Sequence, residues 1–281
     1  MSTFQTASPI SATIEIGAGD IAVTADDVTE STVTVLPRDN AKSSDQQAAS
    51  STTIDCVNGQ LTVTTARTWR RFTSKNDGAV TVQVTVPTGS NLTANTGFGT
   101  IRTHGELSTT NVKTGMGDLR LDSVGTLDAN SGFGDISANT THDAKVHTGT
   151  GTIRLGSVHG SARIKNANGV IEIDDCTADL HVRTSSGDIV IGRAEASVSA
   201  GSAAGDIRIA EVSSGSVGVR TGAGSIEIGI REGAAAWLEL NSKFGSVRNG
   251  LTATPAPAQS DSTVEVRART GAGDITVERA A

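Results

Sequence analysis

A motif that recurs about every eighteen residues constrains this 281-residue chain more than any other feature. Each copy begins with Thr, Ser or Asn, has glycine as its fourth residue and ends in Ile, Leu or Val, as in TGMGDL at Thr114–Leu119. The fourth-position glycines are Gly99, Gly117, Gly134, Gly151, Gly169, Gly187, Gly205, Gly224, Gly245 and Gly273. Steps of 17 to 19 residues up to Gly224, then 21 and 28, indicate a repeat architecture.

Within each unit, two short segments alternate between apolar and polar residues. Ile153–Leu155 and Ala162–Ile164 form one such pair. An alternation with period two is typical of β-strands, and strands this short cannot bury an apolar side alone. Stacked units would instead bury a continuous apolar column. The sequence therefore predicts an all-β fold, a single-stranded parallel β-solenoid with about eighteen residues per coil.

A coil of eighteen residues also suits a left-handed helix of hexapeptides. That alternative requires an aliphatic residue at every sixth position around the coil. Counting six residues on from Ile136 and Ile153 reaches His142 and His159, which breaks the rule. We therefore favour a right-handed β-helix.

The two ends of the chain are less regular than its middle. Residues 1–96 contain strand-like segments at wider spacing, separated by polar stretches such as Asn40–Ser51, which we expect to be a loop. We interpret 1–96 as an N-terminal β cap or irregular first coils, and 97–281 as the repeat solenoid. A Pro-rich loop is predicted at about 249–262, where the repeat step lengthens.

The motif and its flanking segments resemble a known family. The TGxGDI units, the early copy IGAGDI at Ile16–Ile21 and the closing copy TGAGDITV at Thr270–Val277 are similar to a large bacterial domain family. Its members are named putative adhesins, and its function is unknown. The resemblance covers essentially the whole chain, and it implies a β-strand repeat protein without an established catalytic residue.

Charge and composition narrow the classes of partner and compartment. The formal net charge of −7 and the aromatic content of 2% disfavour nucleic acid, and ring stacking on glycans is also disfavoured. We expect Phe98, Phe133 and Phe244 to pack at coil corners, and Trp237 to cover one side of the core. The start of the chain lacks a basic segment followed by an apolar one, so a cytoplasmic location without membrane insertion is expected.

No residue pattern predicts a catalytic, metal or cofactor site. The aspartates that follow the motif glycine recur too widely for a calcium-binding nonapeptide, so we expect them to make hydrogen bonds at turns. A strand follows each Gly-x-Gly, whereas phosphate binding needs a helix N-terminus there. The histidines and the two cysteines show no metal-ligand spacing. The sequence thus indicates a protein that is not an enzyme and holds no cofactor.

The second strand of the coil carries a predicted basic face. If its aliphatic residues point inward, the alternating neighbours point outward, and most of these are basic. The face consists of Lys113, Lys145, His147, Arg163, Lys165, His181, Arg183, Arg220, Arg267 and Arg269. A separate candidate contact loop contains Trp69, Arg70, Arg71 and Phe72.

Three hypotheses for function follow from these observations. The first is a non-catalytic scaffold or interaction module that presents the charged face to a protein partner or an anionic polymer. The second is a structural protein that polymerises end to end. The third is a polysaccharide-processing β-helix enzyme, which the nearly uniform coil lengths disfavour because such enzymes form clefts from long loops. A purely solubilising role for the basic face is the alternative to the first hypothesis.

Overall fold

A computed structural model describes residues 1–6, 8–65, 78–252 and 263–280. The chain divides into two compact units, Met1–Asn139 and Thr140–Ala281. The division falls within a strand of the repeat region, whereas the sequence analysis places a boundary near residue 96. The predicted contact loop lies outside the described residues, as does most of the predicted Pro-rich loop.

Unit 1 consists of ten strands and one short helix among its described residues. They are β1 (Ser2–Gln5), β2 (Ser11–Asp26), β3 (Glu30–Pro37), α1 (Ser43–Ser50), β4 (Thr53–Val57), β5 (Gln60–Thr64), β6 (Val80–Pro87), β7 (Asn91–Phe98), β8 (Ile101–His104), β9 (Glu106–Met116) and β10 (Leu119–Phe133). The helix corrects the expected loop at Asn40–Ser51. It is anchored by the buried carboxylate of Asp45, which accepts the backbone N–H groups of Asp39 and Ala79.

Unit 2 is built from strands alone in the part of the chain that the structure describes. Strand β11 (Ile136–Thr150) contains the division. It is followed by β12 (Ile153–Val158), β13 (Ala162–Asn168), β14 (Ile171–Cys176), β15 (Leu180–Ser186), β16 (Ile189–Ala194), β17 (Val198–Ala204), β18 (Ile207–Val212), β19 (Gly215–Ala223), β20 (Ile226–Ile230), β21 (Ala235–Phe244), β22 (Val247–Asn249), β23 (Thr263–Ala272) and β24 (Ile275–Arg279).

Each regular coil contributes one strand to each of two parallel stacks. The first strand of a coil pairs with the first strand of the next, and the second with the second. Ile153, Ile171 and Ile189 are therefore register partners, and all three are fully buried. Burial of each such side chain contributes about 1.5–3 kcal/mol to stability. The predicted parallel β-solenoid is confirmed.

The motif residues connect one coil to the next through side-chain hydrogen bonds. The Thr221 hydroxyl donates to the carbonyl oxygen of Gly205 on the preceding coil (2.9 Å). The Asp206 carboxylate accepts the backbone N–H of Ser225 on the following coil (2.7 Å). Equivalent carboxylate bonds are made by Asp20, Asp118, Asp188 and Asp274. The expected hydrogen-bonding role of these aspartates is confirmed, and it joins neighbouring coils.

The coils next to the two ends of the chain are displaced from sequence order. Strand β2 lies between β7 and β5 along its first half, and between β8 and β6 along its second. In unit 2, β23 lies between β19 and β21, and β24 lies between β20 and β22. The antiparallel strands β3 and β4 then pair with β6 and β5.

The motif glycine is required for two independent reasons. Gly205 has φ of 147°, a conformation that residues with a Cβ rarely adopt. A Cβ at this position would also lie 2.1 Å from the carbonyl oxygen of Gly187 on the preceding coil. The coils of Gly187 and Gly205 can therefore approach to β-sheet distance only because Gly205 lacks a side chain.

We expect Gly205→Ala to lower the free energy of unfolding by at least about 2 kcal/mol, since it combines strain with a backbone clash. Gly201→Ala is the matched control, because a Cβ there meets nothing closer than the carbonyl oxygen of Arg220 at 3.8 Å. Urea denaturation of both variants measures the difference. Equal losses would contradict a specific requirement for glycine in the motif.

Candidate functional site

Six of the predicted basic residues form two adjacent columns on the second-strand stack of unit 2. In one column Arg163 pairs in register with Lys145 on one side and with His181 on the other. In the next column Lys165 lies between His147 and Arg183. All six side chains are exposed. We call Lys145, His147, Arg163, Lys165, His181 and Arg183 the basic cluster.

Strand alternation places these side chains on the outer surface. Val146, Ile164 and Val182 alternate with the basic residues and are at most 1% exposed. Neighbouring strands are about 4.8 Å apart, and residues i and i+2 of one strand are about 6.8 Å apart. The basic cluster is consequently a nearly flat array, three coils long and two side chains wide.

The predicted face does not continue without interruption toward the C-terminus. On the next coil the two columns contain Ser199 and Gly201, and on the coil after that they contain Gly218 and Arg220. Beyond Arg220, the displaced coil order brings β23 and then β21 into the stack. The sequence analysis predicts one long basic ladder, whereas the structure has a cluster, a neutral gap and a separate C-terminal group.

Carboxylates pair with two arginines of that C-terminal group, Arg267 and Arg269. The register places Glu239 beside Arg267, and Glu239 pairs with the guanidinium groups of both Arg267 and Arg269. The hydrogen bond from Arg269, helped by the charges of both arginines, lowers the pKa of Glu239. Arg267 also pairs with Glu265 and lies 5.6 Å from the ring centroid of Trp237. Trp237 is 55% exposed, so the expectation that it covers the core is wrong.

The remaining predicted site residues lie elsewhere or outside the described residues. Lys113 belongs to unit 1, where it is exposed on β9 between Asn95 and Asn130. Trp69, Arg70, Arg71 and Phe72 of the predicted contact loop are outside the described residues. The structure thus brings together six of the ten residues of the predicted face as one cluster.

Two aspartates border the basic cluster. Asp143 precedes Lys145 on the same strand side, and its carboxylate accepts the backbone N–H (2.9 Å) and the hydroxyl (3.0 Å) of Ser161. Asp179 is exposed and directly precedes β15, two residues before His181. Among the described residues, neither carboxylate forms an ion pair with Arg163, so the centre of the cluster keeps its positive charge.

The first-strand stack of unit 2 carries charges that cancel. Its ion pairs are Arg154–Glu172 (2.6 Å), Arg193–Asp175 (2.8 Å), Arg208–Glu227 (3.6 Å) and Arg231–Glu211 (2.5 Å). A groove of about 320 Å³ on this face is lined by several of the same residues. Such a neutralised surface offers no concentrated charge to a ligand.

Other ionisable groups have structural surroundings. The backbone N–H of Gly105, followed by the Asn139 amide and His104, lowers the pKa of Asp122. His104 is 3.2 Å from that carboxylate and exposed. Burial raises the pKa of the Cys176 thiol. The described ranges contain no group of three or more potential metal ligands and no helix suited to crossing a membrane.

Three corner positions differ from the sequence expectation. Phe98, Phe133 and Phe244 were expected to pack against the coil, but they are 56%, 59% and 77% exposed. Each of the three is the last residue of its strand and directly precedes a motif glycine with positive φ. Strand alternation alone gives no signal for this reversal at a corner.

Comparison with known proteins supports the resemblance noted from the motif. The model of the Toastrack DUF4097 family matches residues 11–279. No curated protein matches the chain. A solved structure of a putative adhesin from Parabacteroides merdae is 14% identical, with 98% of this chain and 94% of that chain covered and a TM-score of 0.35.

A putative adhesin from Bacteroides fragilis is 13% identical, with 98% of this chain and 95% of that chain covered and a TM-score of 0.33. The family match extends over nearly the whole chain and includes the early IGAGDI copy as well as the closing repeat. The chain belongs to the Toastrack DUF4097 family.

Proposed function

We propose that this protein is a non-catalytic binding module whose basic cluster holds a linear anionic polymer, a polysaccharide bearing carboxylate or sulfate groups. The observation that carries the proposal is the lack of compensation at the centre of the cluster. Among the described residues, no carboxylate forms an ion pair with Arg163, Lys165 or Arg183.

The contrast with the rest of unit 2 supports a ligand for these charges. On the first-strand stack, arginines are paired with carboxylates, and Glu239 neutralises Arg267 and Arg269. Like charges directly opposite each other on neighbouring strands are destabilising by about 0.2–1 kcal/mol per pair. Lys165 nevertheless lies directly opposite Arg183 on the next coil. A bound polyanion would relieve this repulsion.

The geometry of the cluster favours a linear polymer over a compact acidic protein. Charges repeat along the coil axis at the strand spacing of about 4.8 Å, in two columns only. A flexible chain of anionic groups can follow such an array without shape complementarity. A folded protein would need about 800 Å² of matched surface, whereas the neutral gap at Ser199, Gly201 and Gly218 limits the array to three coils.

A second candidate is end-to-end self-association through the coil formed by β21 and β22. This coil lies on the far side of β23 from β19, and it exposes Trp237, Phe244 and Val247 at 55%, 77% and 45%. Sedimentation velocity at several protein concentrations tests it. An unchanged monomer over the whole range would contradict self-association.

The main test compares two triple variants with equal changes in net charge. We expect the triple variant Arg163→Ala, Lys165→Ala, Arg183→Ala to bind fluorescent polygalacturonate or heparin at least about tenfold more weakly at 50 mM salt, a loss of about 1.4 kcal/mol. The matched control replaces Arg154, Arg193 and Arg208 by Ala. Fluorescence anisotropy measures the Kd, and size-exclusion chromatography should recover the polymer uncut.

Neutral dextran should not bind, and raising the salt to about 200 mM should weaken binding of the anionic polymers because exposed charges are screened. Absence of binding to both anionic polymers at low salt would overturn the proposal. An equal loss in the two triple variants would attribute binding to overall charge and not to the cluster.

Two residues of the basic cluster also give a prediction for stability. Replacing Arg163 and Lys165 by Gln should leave the Tm unchanged or raise it at low salt, because repulsion within the columns is removed. The difference from the unmodified protein should shrink at high salt. A marked loss of Tm in thermal unfolding would show that these side chains serve the fold, which would contradict a surface kept for a ligand.

We expect tighter binding of the polymer when the Glu239 carboxylate of the C-terminal group is removed. Glu239→Gln releases Arg267 and Arg269 from their shared partner and so adds positive charge to the same stack. The Kd for polygalacturonate should fall by about two- to threefold. Asp55→Asn, which removes one negative charge from unit 1, is the control and should leave the Kd unchanged.

A further inference from the structure

Three large apolar side chains lie in register on the surface of unit 1. Phe98, Met116 and Phe133 occupy the position between the two motif glycines on successive coils. They are 56%, 52% and 59% exposed, so more than half of each side chain remains in solvent. We call these three residues the apolar ridge.

The fold itself does not require large residues at this position. In unit 2 the corresponding register position holds small or polar residues on six consecutive coils, and the next coil in the stack holds Phe244. The small or polar residues are Thr150, Asn168, Ser186, Ala204, Ala223 and Ala272. The coils there stack with the same geometry. The apolar ridge is therefore an exposed apolar strip that packing does not explain, and such strips mark interaction sites.

A groove of about 400 Å³ adjoins the apolar ridge. Gly97 and Gly115 line it, and they directly precede Phe98 and Met116 in the chain. A Cβ at Gly97 would lie 2.6 Å from the carbonyl oxygen of Gly17, so a side chain at Gly97 would disturb the stacking of the two coils at the groove. Its length covers the three coils that contribute Gly17, Gly97 and Gly115.

The residues that line the groove include polar groups of both kinds. Glu15, Asn95 and Lys113 are register partners on successive coils and line the groove together. The side-chain oxygen of Asn95 is buried and accepts no hydrogen bond from any described residue. Buried acceptors are normally satisfied, so this oxygen is an unmet acceptor among the residues that line the groove. The charges of Glu15 and Lys113 cancel, so these residues offer a polyanion no net electrostatic attraction.

We propose that the groove and the apolar ridge form a docking site for an extended polypeptide segment with apolar side chains. The ridge contacts alternate side chains, while Asn95 and Lys113 bond main-chain N–H and C=O groups. Three coils span about 10 Å, which accommodates about three or four residues at 3.3 Å each. Three half-exposed side chains supply far less than the roughly 800 Å² per partner of two folded proteins, which favours a short segment.

The site is tested with the full chain and a phage-displayed library of random twelve-residue peptides. We expect enrichment of peptides with apolar residues at alternate positions and a Kd below about 10 μM by fluorescence anisotropy. The variant Phe98→Ser, Met116→Ser, Phe133→Ser should bind at least tenfold more weakly. Phe244→Ser is the matched control, since it removes an exposed phenylalanine from the same motif position in unit 2. Asn95→Leu, which removes the acceptor, should also weaken binding.

A measurement on the unmodified protein covers the case in which the triple variant does not fold. The chain has two methionines, Met116 on the ridge and Met1, which is 88% exposed. Bound peptide should slow hydrogen peroxide oxidation of Met116 several-fold and leave Met1 unaffected, as read by mass spectrometry.

Several results would overturn the proposal. They are an absence of enriched peptides, equal binding by the ridge variant and the unmodified protein, and unprotected Met116 in the complex. Loss of a dimer in the ridge variant, measured by sedimentation velocity, would instead identify a second copy as the occupant. Ridge-dependent binding of neutral dextran or cello-oligosaccharides without peptide binding would identify a saccharide. Each of these two outcomes also rejects a peptide site.

Discussion

The close approach of glycine backbones at the coil corner is the constraint on which the rest of the structure depends. A Cβ at Gly205 would collide with the carbonyl oxygen of Gly187, so the coils can stack only where this side chain is missing. The same carbonyl group accepts the Ser202 hydroxyl at 3.2 Å, and the Asp206 carboxylate accepts the next coil's N–H. The same four residues, Gly187, Ser202, Gly205 and Asp206, thus determine the turn conformation, the spacing of the coils and the hydrogen bonds between them.

Because the corner and the buried columns fix the fold, the exposed columns are free to differ from coil to coil. A departure from the repeat on the surface is therefore more informative than the repeat itself. The basic cluster in unit 2 and the apolar ridge in unit 1 are departures of this kind. The two surfaces lie on different coils, at different positions of the repeat unit, and they differ in chemistry. One repeat architecture can therefore carry two unrelated candidate ligand surfaces.

The sequence predicts features that depend on local periodicity. The coil length, the hydrogen-bonding aspartates and the outward direction of Arg163 and Lys165 all follow from alternation and spacing. Features that depend on long-range order are not predictable in this way. Nothing local indicates that β23 lies between β19 and β21, and only that order brings Glu239 next to Arg267.

The corner phenylalanines were mispredicted for a related reason. Alternation specifies sides within a strand, but Phe98 is the last residue of β7, directly before the positive-φ Gly99, and it is exposed where counting from Thr96 would bury it. The eight-residue helix α1 was also missed, because its stability depends on contacts of Asp45 with residues distant in sequence. In both cases the missing information is tertiary.

The displaced last coil has a mechanical consequence. Strand β24 is hydrogen-bonded to β20 along one edge and to β22 along the other, and β23 is held in the same way between β19 and β21. A segment at the free edge of a sheet can be peeled away one bond at a time. Strands β23 and β24 can be pulled out only if the hydrogen bonds along both of their edges break together. A force applied to them is therefore shared with the coils on both sides.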